Sequence, residues 1–187
     1  MINLKNVFAL VFTLLFLTTY SQDKSDETTY GYLTGQLGIH KEALVHEGIA
    51  AVKGVRIKKV LGAGIGIEAL KFKGLKSICV PVHADFRYFF PSESIFQLFF
   101  IAQAGYSLYN SKQNFPGTEI SFASALATKG GLFYGGGFGV SGKGKISPTL
   151  ALRYTSYTFN FTKTGNFPEQ KGTSRSKAIA LNFGITF

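Results

Sequence analysis

The 187 residues hold 20 Lys and Arg against 10 Asp and Glu, with 22 Gly, 28 Phe and Tyr together, no Trp and one Cys. A lone cysteine, Cys79, excludes an internal disulfide. Gly-, Phe- and Tyr-rich stretches separated by turn residues favour an all-β chain, and past residue 21 no run is long and apolar enough to span a membrane as a helix.

In chain order, MINLKN offers one Lys and no acid, VFALVFTLLFL is apolar, and TTYSQ turns small and polar. This is the layout of a secretory signal peptide, expected over residues 1–21 with cleavage between Ser21 and Gln22. The apolar run is well short of the roughly 20 residues a transmembrane helix needs. Residues 22–27 form a short N-terminal segment, and 28–187 are expected to be one domain.

Eight strands are expected, at 31–40, 48–57, 60–70, 77–90, 94–110, 131–142, 147–160 and 177–187. Two carry irregularities. In the second, Lys53 shares a face with Val55 and Ile57 unless Gly54 marks a bulge. In the seventh, the apolar phase moves from Leu150, Leu152 and Tyr154 to Tyr157 and Phe159, which suggests another bulge. An even strand number suits an up-and-down antiparallel barrel with both chain ends on one side. The connections sort with it. Lys58-Lys59, PSES and KGKI are short, whereas 41–47, 71–76, 111–130 and 161–176 alternate with them and are longer. Short turns on one rim and long loops on the other is the asymmetry of outer-membrane barrels.

The residues opposite the apolar face separate this fold from a soluble lipocalin-like barrel. Gly62, Gly64 and Gly66, Gly135, Gly137 and Gly139, and Ala178, Ala180 and Gly184 make a poor solvated surface. They suit the crowded lumen of a narrow barrel. Leu61, Ile65 and Ile67, Phe96, Leu98 and Phe100, and Ile179 to Phe187 are apolar enough to face lipid.

By this strand pattern, loop asymmetry and ending, residues 28–187 resemble the small eight-stranded outer-membrane barrels of Gram-negative bacteria, of OmpX/OmpA type. The resemblance implies a location in the outer membrane. It also implies that Leu181, Phe183, Ile185 and Phe187 are the C-terminal signal read by the barrel assembly machinery. A place for Phe187 in the interfacial aromatic belt is compatible with that role.

The densest polar set is His83, Asp85 and Arg87, whose spacing of two puts all three on the lumen face. A simple hairpin sets them against Gly62 to Gly66, and Glu68, Gln97, Gln103 and Arg153 fall on lumen positions too. Since buried charges must be paired, Glu68, His83, Asp85, Arg87 and Arg153 are expected to form a polar plug. His40 and His46 bracket the top of the first strand with Glu42 and Glu47 nearby. No Ser-His-acid arrangement is legible among them, although the resemblance extends to lipid A acyl-modifying enzymes. GGGFG at 135–139 lacks the following Lys-Ser/Thr of a phosphate loop, and no metal-ligand spacing appears.

The expectation is therefore a monomeric integral outer-membrane barrel without cofactor, catalytic residues or nucleic-acid partner. It would be non-enzymatic and act through its outer loops, the alternatives being a lipid A acyltransferase or deacylase, or a narrow solute pore. Lys71, Lys73 and Lys76, in a connection without acid, and Lys163, Lys171 and Arg175 of the 161–176 connection against Glu169, with Lys177 opening the next strand, are expected to contact lipopolysaccharide and outer-membrane lipid.

Overall fold

The computed structural model describes residues 28–40, 45–73, 78–115, 124–164 and 168–187. The expected signal peptide, residues 22–27, Glu42 and Lys76 lie outside them. The described strands are β1 (Thr28–His40), β2 (Val45–Ile57), β3 (Leu61–Phe72), β4 (Val80–Phe89), β5 (Phe96–Leu108), β6 (Asn110–Phe115), β7 (Ser124–Gly142), β8 (Ser147–Thr164) and β9 (Gln170–Thr186). Each pairs antiparallel with its neighbours. β6 extends β5 past Tyr109, since both lie along β7, so the wall has eight staves. β1 pairs with β9 from Tyr32↔Thr186 to His40↔Ala178, which closes the barrel.

Alternation explains why these segments form strands, and burial shows which way each face points. Along β5, Phe96, Leu98, Phe100, Tyr106 and Leu108 are exposed, while Gln97, Phe99, Ile101 and Gln103 are buried. The pattern is inverted relative to a soluble protein. Ile65 is 70% and Leu98 60% exposed, whereas Glu68, Asp85 and Arg153 are within 4% of complete burial. An apolar exterior around a polar interior on a closed sheet satisfies every backbone group in lipid.

Register brings the glycines opposite the large lumen residues: Gly62↔Arg87, Gly64↔Asp85 and Gly66↔His83. A Cβ at Gly66 would collide with the His83 imidazole. The close approach requires glycine there.

Three expectations are corrected. β2 pairs without a break on both sides, so Gly54 is no bulge, and Lys53 points outward beside Val55 and Ile57. Its partners there, Gly31 and Ile65, carry no charge. β8 has no bulge against β9 either. The irregularity sits on the neighbouring strand, between Gly130 and Phe133 of β7. Tyr157 and Phe159 turn inward with Arg153 and Thr155, so the apolar phase shift marks a change in which face is greasy, not an extra residue. Finally, 111–130 and 161–176 are largely strand. β6, β7, β8 and β9 pair well above the point where β1 ends, for example Lys129↔Asn160 and Asn160↔Thr173. Their Thr, Ser and Lys sequences lack apolar alternation because they stand clear of lipid, but backbone pairing holds them extended.

At the other rim, Lys58 and Lys59 have φ of 50° and 57°, and Val60 N–H donates to Ile57 O at 3.1 Å. The register Ile57↔Leu61 leaves three residues in this connection, and the two left-handed lysines turn the chain within it.

Candidate functional site

The lumen is layered. Near the short-turn rim, Tyr30, Tyr32, Val52, Phe89, Phe99, Ile101 and Ala151 form an apolar cluster. Toward the other rim, Leu70, Phe72, Cys79, Tyr109, Phe133, Tyr157 and Phe159 form a second. Between them lies a polar network centred on Arg153 of β8. Its Nη1 donates to Glu68 Oε1 at 2.7 Å and to Gln103 Oε1 at 2.6 Å, and its Nη2 donates to Gln36 Oε1 at 2.5 Å. Gln36 Nε2 returns a bond to Glu68 Oε2 at 3.0 Å. Four strands are tied through one guanidinium, whose planar fork suits several fixed acceptors.

A second pair lies alongside. Arg87 donates to Asp85 at 2.6 and 3.3 Å and stacks 3.6 Å from the centre of the Tyr32 ring. Gln103 joins the two groups. Its Nε2 donates to Asp85 Oδ2 at 2.8 Å and lies 3.0 Å from His83 Nε2, which is 3.9 Å from Glu68. The structure thus brings Glu68, His83, Asp85, Arg87 and Arg153 into one connected, buried set. Closer to the short-turn rim, Arg56 donates to Gln97 and lies over the Phe89 ring. A cavity of about 20 Å³ beside Arg87, Arg153, Gln103, Thr34, Thr149 and Asn182 is room for a single water.

Sequence reasoning missed Gln36, Arg56 and Asn182, although all occupy lumen positions by the same two-residue period. It also missed Ser176. Ser176 Oγ lies 2.7 Å from His40 Nδ1, and His40 Nε2 lies 2.7 Å from His46 Nδ1. Phe72 and Tyr157 rings pack against both imidazoles, and His46 Nε2 meets no hydrogen-bond partner among the described residues. This chain spans β9, β1 and β2 at the long-strand rim. Its serine comes from a stretch that reads as loop, which hid the contact.

The other sequence-derived positions lie outside the lumen. Leu181, Phe183 and Ile185 point outward and are half exposed. Phe187 exchanges backbone bonds with Gly31 at 2.6 and 3.0 Å, and its ring covers that glycine. Lys71 and Lys73 are exposed at the long-strand rim, with Glu47 directly across from Lys71.

Comparison of the backbone with solved structures is decisive for the class. Neisserial surface protein A superimposes with a TM-score of 0.55 over 88% of this chain and 98% of its own, at 14% identity. The fold is that of the small outer-membrane β-barrels. A major outer membrane protein from Thermus thermophilus matches the barrel with a TM-score of 0.53 at 12% identity, covering 86% of this chain and 99% of its own. The outer membrane protein AlkL, determined by solid-state NMR in lipid bilayers, gives 0.50 at 12% identity over 90% of this chain and 94% of its own. No protein-family model matches the sequence, and no curated protein matches it. This chain shares with those outer-membrane proteins a barrel of eight antiparallel strands.

Proposed function

We propose that this barrel is a non-enzymatic envelope protein whose lumen is a structural plug and whose contacts are made by its long-strand rim. The observation that carries the reading is the Arg153 hub. Eight strands leave a bore that side chains fill, and here the fill is a cross-linked ionic network. A solute path would have to break buried ion pairs, which is costly. Lys71 and Lys73, with Lys76, are proposed contacts to lipopolysaccharide, and Leu181, Phe183, Ile185 and Phe187 the element read by the assembly machinery. The test is expression of the protein in an outer membrane, followed by lipid A mass spectrometry. An unchanged lipid A profile is expected.

The Ser176–His40–His46 chain favours a second reading, acyl transfer or hydrolysis. A serine hydroxyl beside an imidazole that is itself held by another group is the geometry of an activated nucleophile. One feature weighs against it. The serine shares the lumen face with Ala178 and Ala180 rather than facing lipid. Lipid A modified by the wild type and unmodified by Ser176→Ala would replace the first reading with this one.

A further inference from the structure

The strongly basic balance of the chain has an address in the fold. β7, β8 and β9 contain no Asp or Glu. Above the lipid-facing Ile179 of β9, the same outward face continues through Lys177, Arg175, Thr173 and Lys171, all exposed. β8 and β7 widen it. Asn160 lies across from Thr173, and Lys129 lies across from Asn160. Thr173 Oγ1 donates to Asn160 Oδ1 at 3.0 Å, so the centre of the face is hydroxyl and amide while its margins are cationic. Alternate residues on one strand stand roughly 7 Å apart and adjacent strands about 4.8 Å apart. Four cations therefore frame a polar field about the width of a disaccharide. Among the described residues, one acid pairs with a cation of this face: Glu169, at its far end, 3.7 Å from Lys171.

The height of this face selects its partner. Tyr134 and Tyr154 are outward and half exposed just below it, where interfacial aromatics mark the edge of the hydrocarbon. Lys177 and Lys129 begin immediately above Ile179 and Leu132. The contrasting site is Lys71, which has the acid Glu47 directly across the strand pair.

We infer that the outward face formed by Lys129, Asn160, Lys171, Thr173, Arg175 and Lys177 is a docking surface for phosphorylated saccharide, the headgroup of lipopolysaccharide in the outer leaflet. The cations take the place of the divalent ions that otherwise bridge neighbouring phosphates, and Asn160 and Thr173 meet sugar hydroxyls. This rests on the reading that puts the long-strand rim outside the cell. Of the two basic segments expected to meet lipid, it makes the 161–177 stretch, joined by β7 and β8, the principal contact in place of 71–76.

The test compares the wild type, a Lys129→Gln/Arg175→Gln/Lys177→Gln variant and a Lys71→Gln/Lys73→Gln variant. Each is folded into phosphatidylcholine vesicles containing lipopolysaccharide, dephosphorylated lipopolysaccharide or neither, with divalent ions chelated. The wild type should melt higher only with phosphorylated lipopolysaccharide. The triple variant should lose most of that rise and bind fluorescent lipopolysaccharide at least about tenfold more weakly, as loss of three cations near an anionic surface implies; the Lys71/Lys73 variant should lose little. A triple variant that keeps the rise overturns the inference, as does an equal rise with dephosphorylated lipopolysaccharide, or an equal loss in the Lys71/Lys73 variant. Orientation is read separately, from Gln170→Cys, exposed at the end of β9 and outside the docking face, labelled by a membrane-impermeant maleimide. Labelling in intact cells is expected. Labelling only after lysis would overturn orientation and docking surface together.

Discussion

Removal of the Arg153 guanidinium is the sharpest probe of the lumen. Arg153→Met keeps much of the volume but strips Glu68 of its ion pair at 2.7 Å and leaves Gln36 and Gln103 each without the guanidinium donor to their oxygens. Glu68 is 1% exposed, so its carboxylate would stay buried with one bond from Gln36 and with His83 at 3.9 Å. Breaking one side of a buried pair costs about 3–5 kcal/mol. Removing both sides is different. Arg153→Met with Glu68→Leu deletes the uncompensated charge, and apolar replacement of a buried pair is near neutral or stabilising by about 1–4 kcal/mol. The double variant should therefore regain most of what Arg153→Met loses, a coupling of about 3 kcal/mol in the double-mutant cycle. The chain has no Trp, so reversible unfolding in detergent or vesicles is followed by far-UV circular dichroism and by gel mobility of unheated samples. Additive losses in the double variant would show that the hub contributes packing alone, and the ionic-plug argument would fail.

Three further outcomes follow from the same geometry. Purified protein in planar bilayers should show no stable conductance, because the buried Arg153–Glu68 and Arg87–Asp85 pairs and the aromatic clusters on either side of them occupy the bore; reproducible large single-channel steps would contradict the filled bore. Replacing Phe187 with Lys should lower outer-membrane yield and raise periplasmic degradation, measured by fractionation and immunoblot, and unchanged assembly would leave Phe187 a packing residue only. Changing Lys58-Lys59 to Asn-Gly should stabilise the barrel by about 1–2 kcal/mol, since both lysines hold left-handed φ; a loss of stability in the same unfolding assay would show that the lysine side chains matter more than the backbone strain.

The lipid-embedded part of the fold is legible in the sequence because one rule governs it. Where lipid lies on one side and a narrow lumen on the other, each residue declares its face, and His83, Asp85 and Arg87 can be set against Gly66, Gly64 and Gly62 by counting. Legibility ends where lipid ends. From Gln170 to Lys177 the outer face is polar because it meets water and headgroups, so period-two contrast vanishes although the strand continues. Ser176 was lost with it, and so was its contact with His40. Tyr157 and Phe159 misled for the related reason that aromatic residues fill the upper lumen as readily as they face lipid. The Arg153 hub itself was only half visible. Glu68 and Arg153 read as lumen residues, but 85 positions separate them, and their contact depends on the curvature of the closed sheet.

The seam between β1 and β9 joins the two most distant strands, so its contacts carry the largest loop-closure cost and form late in folding. Two rings sit on two glycines across it: Phe187 on Gly31 and Phe183 on Gly35. Slipping β9 by two residues one way would bring Phe187 against Leu33 and Phe183 against Leu37; slipping it the other way would bring Phe183 against Leu33. Only the native alignment gives both rings a vacancy, so the pair reads like the marks of a vernier scale. The offset at which a sheet meets itself fixes the shear of a barrel, and with it the tilt and the bore. Two phenylalanines on the lipid side thereby set the diameter within which Arg153 must reach Gln36, Glu68 and Gln103 at once.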